Sequence, residues 1–220
     1  MQTLAFHSDP KLKAKAVAEA LKHYELDMLR EGDSGHCTIG CLCTSFGARH
    51  YDHKQLAEKL GLPRQLMHWL DMMFENSEKP ANRKISHKVF SAIEAGQDLS
   101  SLFHRLAIKR NTRLLKLKSV KADKKVSDAI KQCIEAHKAA IGGDDSLLKD
   151  ANANAYTVAY AAAANATAAA TTTAAFDAYA TYSAAATYSA AAAAYANAYA
   201  NAAAYKNELA DMLKSIKECG

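Results

Sequence analysis

Apolar positions recur every three or four residues along most of the first 150 residues, and nowhere do they alternate in the two-residue rhythm of a half-buried strand. The first stripe is Val17, Ala20, Leu21, Tyr24 and Met28. Ser8-Asp9-Pro10 opens it with a capping acid and a proline whose missing N–H costs nothing in a first turn, and Gly32 closes it. Asp52 and Gln55 form the pattern of a capping box before Leu56, Ala57 and Leu60. Gly61 breaks that helix, and Pro63 starts another carrying Leu66, Met67, Leu70, Met73 and Phe74. Ile85, Val89, Phe90 and Ile93 mark a helix ending at Gly96, and Asp98 caps the next, with Leu99, Leu102, Phe103 and Leu106. Val126, Ala129, Ile130, Cys133, Ile134, His137 and Ile141 make one more stripe, closed by Gly142-Gly143, with Ser146 as the cap that follows. Leu209, Met212, Leu213 and Ile216 give the last. The chain reads as all-α.

Between the last two stripes the pattern gives way to composition. From Ala151 to Tyr205 the chain is alanine with scattered Tyr, Thr, Ser and Asn, no Gly or Pro, and one charge, Asp177. Alanine loses no side-chain rotamers in a helix, so nothing here opposes one. The run Thr171-Thr172-Thr173 is the natural break. The expectation is an N-terminal multi-helix globular domain followed by long Ala-rich helices, packed as a hairpin or pairing two chains. Tyr188, Tyr195 and Tyr199 fall on one side of such a helix and are the expected interface anchors, with a homo-oligomer as one outcome. The organisation predicted is a globular domain over 1–110, a basic segment and amphipathic helix over 111–146, and the Ala/Tyr-rich region over 147–220.

Charge narrows the partners a little. The formal net charge is +5, and residues 1–150 carry 25 Lys and Arg against 19 Asp and Glu. Between Arg105 and Lys125 there are nine basic residues against Asp123 alone. That tract, with Arg105, Lys109, Arg110, Arg113, Lys116 and Lys118, is a candidate footprint for nucleic acid or a nucleotide. Charge reversal at Arg110, Arg113 and Lys116 is expected to abolish such binding without unfolding the chain. No apolar run suits a bilayer, and Lys11, Lys13 and Lys15 interrupt any signal core, so no membrane is expected and the location expected is the cytoplasm. Five cysteines in that compartment read as thiols or ligands before disulfides.

Two clusters could carry chemistry. Cys37 and Cys41, with His50 and His53 downstream, are residue types that zinc takes. Their spacing matches no common finger, and small buried thiols at a tight helix packing explain the cysteines without a metal, so the expectation is no required cofactor, with zinc as the alternative. A Cys or metal enzyme is the third reading, since no orienting group or oxyanion hole is recognisable. The second cluster is residues 53–70, which fit a helix-turn-helix. Ala57 precedes Gly61 by four, and Met67 and Leu70 follow it by six and nine. Arg64, Gln65 and His68 would lie on the outward face of its second helix.

Residues 35–106 resemble uncharacterised proteins encoded by bacteriophages and prophages. The shared elements are Gly35, Cys37, Gly40 and Cys41 as G-x-C-x-x-G-C, then a His, Leu60-Gly61-Leu62-Pro63, Asp71, Phe74-Glu75, Ala92-Ile93 and Asp98-Leu99-Ser100, with an Ala/Tyr-rich tail. His36 replaces a residue that is more often small, and Cys43 is additional. The resemblance implies an accessory phage protein in the host bacterial cytoplasm that acts by binding a host macromolecule, protein complex or nucleotide signal, including as an inhibitor of an anti-phage defence. A DNA-binding regulator using residues 53–70 is the alternative.

Overall fold

The structure is a computed structural model of the 220-residue chain, and it describes residues 4–29, 38–75, 84–116, 121–122, 124–148, 150–151 and 202–220. Among these residues the fold is all-α. The helices are α1 (Pro10–Leu29), α2 (Thr38–Ser45), α3 (His53–Leu60), α4 (Arg64–Glu75), α5 (Ile85–Ala92), α6 (Leu102–Leu114), α7 (Lys124–Ile141) and α8 (Ala202–Glu218). The one bridge of strand type among them joins Leu4 to Asp98. Tyr188, Tyr195, Tyr199 and the Thr171–Thr173 break lie outside the described residues, as does Cys37.

The described chain divides into two compact units, one from residues 1–100 with 212–220 and one from residues 101–211. In the first, α1 packs on α5 and α2, and α3 packs on α4. Its core is the set of stripes read above: Leu56, Leu60, Leu66, Met67, Leu70, Met73, Val89 and Phe90 are fully buried. Gln97 Nε2 donates to the carbonyl of Ile216 at 2.6 Å, fixing the end of α8 within this unit. In the second unit α6 packs along α7, and Leu114, Ile130 and Ile134 form a core that Ile108, Leu115 and Val126 extend. Cys133, Ala136 and Ala151 make a smaller one with Leu148.

One feature of the first unit has no sequence signature. Phe6, His7 and Ser8 are consecutive left-handed residues, with φ of 53°, 50° and 60°. Each costs roughly 1–2 kcal/mol for an L-residue. The surroundings compensate. Ala5 N donates to Gln97 O at 2.9 Å, Gly96 N donates to Ala5 O at 2.8 Å, and His7 Nε2 reaches Glu58 O at 2.8 Å. The Phe6 ring is fully buried, edge-on to Phe90 with centroids 6.2 Å apart.

Gly61 is required twice at this place. Its φ is +61°, which ends α3, and a Cβ there would lie 2.7 Å from Leu4 O and 2.8 Å from His7 N. Backbone atoms cannot step aside as a side-chain tip can. Gly47 has nearly the same φ, +62°, with nothing within 4 Å. Gly47→Ala should therefore cost about 1 kcal/mol from conformation alone. Gly61→Ala should cost at least twice that in a denaturant titration, and equal losses would show that the close approach contributes nothing.

Candidate functional site

The segment from α3 to α4 builds a helix-turn-helix from local signals. Asp52 Oδ1 accepts from Gln55 N at 2.9 Å and caps α3, while Gln55 Oε1 accepts from Arg49 N at 2.6 Å. The capping box is thus half formed, with its glutamine spent on the preceding loop. At the other end Gly61 turns left-handed and Leu62 N donates to Ala57 O at 3.0 Å. Ala57 is buried, as are Leu56, Leu60, Leu62, Met67 and Leu70. Arg64 and Gln65, at the start of α4, are exposed, and His68 is half-buried.

These side chains are linked. Arg64 Nε donates to His68 Nε2 at 3.2 Å. The His68 ring stacks on His53, with centroids 4.3 Å apart and planes 21° from parallel. His53 Nε2 donates to Asp71 Oδ2 at 3.1 Å. Burial, with the neighbouring His53 and Arg64, lowers the His68 pKa to about 4. His68 is therefore neutral at pH 7, and its Nε2 lone pair can accept from the guanidinium.

The cysteine and histidine candidates do not converge. His53 faces Asp71 and His68, whereas His50 lies edge-on to Tyr51, with ring centroids 4.3 Å apart. His50 also closes over Gly40, where a Cβ would meet its Cε1 at 2.8 Å. Cys41 is half-buried, and Cys43 is buried with its thiol directed to Asp52 O at 3.8 Å. Burial pushes the Cys43 thiol up, away from the thiolate a nucleophile or ligand needs. Among the described residues no three His, Cys, Asp or Glu side chains come together as a metal site.

The basic tract is divided by burial. Arg110 is 4 % exposed and Glu208 5 %, and they form a bidentate pair: Arg110 Nε donates to Oε1 at 2.8 Å and Oε2 at 3.0 Å, and Nη2 to Oε1. Arg113 Nη2 lies 3.5 Å from Glu208 Oε2 and 2.8 Å from Asp211 Oδ2. Burial raises the Asp211 pKa, against the pull of Arg113. Arg110 is therefore not a surface cation, and its reversal would disrupt the second unit, contrary to the expectation from sequence. Arg105 Nε donates to Ser101 Oγ at 3.0 Å, Lys109 is half-buried, and Lys116 is exposed. Lys118 lies outside the described residues.

Two polar groupings escaped the sequence reading. His104 Nδ1 and His137 Nδ1 are 3.0 Å apart between α6 and α7. In the first unit Ser45 Oγ donates to Glu19 Oε2 at 3.0 Å and lies 3.1 Å from His23 Nε2. The second resembles a nucleophile, base and acid, but its polarity is reversed. The one hydroxyl proton goes to Glu19, so His23 must donate to Ser45 rather than take a proton from it.

No family model matches the chain, and no curated protein or solved structure matches it. Among the described residues no helix is long and apolar enough to cross a membrane.

Proposed function

We propose that the protein acts by binding, as a phage-encoded accessory protein in the bacterial cytoplasm, and that it engages double-stranded DNA through the start of α4. The observation that supports this is the helix-turn-helix itself. Its small residue, its left-handed glycine and its apolar positions are all used for packing, and that packing leaves Arg64 and Gln65 exposed at a helix N-terminus. Backbone N–H groups at such an end favour phosphate, and a helix presented this way enters the major groove. Arg49 and Lys59 are exposed on the flanking loop and α3, as cations for the DNA backbone.

Fluorescence anisotropy with a labelled mixed-sequence duplex tests the reading across a salt series. Arg64→Glu should weaken binding at least tenfold at each salt concentration, while the wild-type affinity falls as salt rises. Undiminished binding by this variant would exclude α4 as the surface. An absence of DNA binding, with capture of a host protein complex by nuclease-treated bait, would move the partner to protein.

A further inference from the structure

We propose that Arg64 is a preset reader of guanine, held by His68 as a positioning residue with His53 and Asp71 behind it. The inference rests on the DNA-binding reading above and names what that surface selects. An exposed arginine ordinarily samples many rotamers and loses that freedom on binding. Here its Nε is engaged by His68 at 3.2 Å. His68 is itself fixed by stacking on His53, and His53 is anchored by Asp71. The chain of contacts therefore runs from the helix body, through two half-buried rings, to one exposed guanidinium.

With Nε occupied, the two Nη groups remain as a parallel pair of donors. Guanine presents two acceptors, O6 and N7, side by side on its major-groove edge, the base pattern that such a fork matches bidentately. Adenine offers one acceptor and one donor there, and would leave one Nη without a partner. The relay also explains why an acid is tolerated on α4 near a polyanion, because the Asp71 carboxylate is engaged by His53 rather than presented alone. The neutral state of His68 follows from its burial, and it is the state that can accept from Arg64.

The full chain is used to enrich duplexes from a random library, and each guanine of the enriched site is then replaced by 7-deazaguanine, which lacks the N7 acceptor. Wild type should show one guanine at which the replacement weakens binding about tenfold. In His68→Leu the ratio of affinities for the guanine and 7-deazaguanine duplexes should fall towards one. His68→Gln, whose Oε1 can accept from Arg64 Nε, should keep most of the discrimination. Asp71→Asn, a half-buried change that spares the stack, should show an intermediate ratio and covers the case in which His68→Leu fails to fold. An enriched site without a 7-deazaguanine effect, or equal ratios in all variants, would overturn the inference while Arg64-dependent binding preserved the DNA reading. A wild-type chain that binds no duplex would overturn both.

Discussion

Glu208→Gln is expected to lower the stability of the second unit by about 3–5 kcal/mol, because it removes the carboxylate paired with the buried Arg110 charge. The pair is bidentate, and both side chains are almost wholly withdrawn from water. Coulombic attraction in such a place roughly offsets the cost of desolvating two ions, so the intact pair contributes little net. Breaking it is another matter. The double substitution Arg110→Met with Glu208→Leu should consequently recover most of the loss, since neither charge then needs solvating. Denaturant unfolding of the three proteins decides the point. A Glu208→Gln midpoint equal to wild type would mean that the contact does not hold α8 against α6 in this unit. The same argument redirects any test of the basic tract for anion binding. Lys116, exposed on the last turn past α6, is the residue to reverse, because a defect in Arg110 variants would report unfolding.

The all-α class and the helix-turn-helix were legible because both depend on local signals. Asp52, Ala57, Gly61 and the apolar positions around them each act within a few residues, and the structure uses them as spacing implies. Where a cap had more than one route, spacing misled. Asp98 accepts from Ser100 N at 2.8 Å, but α6 begins only at Leu102. The pairing of Arg110 with Glu208 spans 98 residues, and no pattern in sequence gives a partner at that distance. A weaker clue did exist. Arg110 is in helical phase with Leu106 and Leu114, and Glu208 with Met212, so each charge interrupts an apolar stripe. A charge in phase with a core demands an opposite one, though it cannot say which. The left-handed turn at Phe6 to Ser8 left no clue at all, since non-glycine residues adopt it only because Gly61, Gly96 and Phe90 enclose it.

The second large effect expected is a loss of stability in acid, carried by His137. This side chain is 2 % exposed in the core between α6 and α7, and burial, with His104 beside it, lowers its pKa from 6.5 to about 4. Burial lowers His104 as well, against the opposing pull of Asp145. The first proton can be shared, because a charged His104 can still donate to a neutral His137. A second proton puts two cations 3.0 Å apart and breaks the bond. The unfolded chain binds its proton near pH 6.5 and the folded chain only near pH 4, so between these values the unfolded state holds more protons. Stability therefore falls as pH drops through that window and levels off below it, by roughly 3 kcal/mol for a shift of this size. Asp211 acts in the opposite sense, since a carboxyl raised in the folded state takes up its proton more readily there. Urea titrations at pH 7, 6 and 5 should show the second unit weakening with a slope of up to about 1.4 kcal/mol per pH unit from this residue. His137→Gln, which can hydrogen-bond His104 but carries no titrating group, should flatten that slope. A variant that follows the wild-type pH dependence point for point would show that the histidine pair has no part in it.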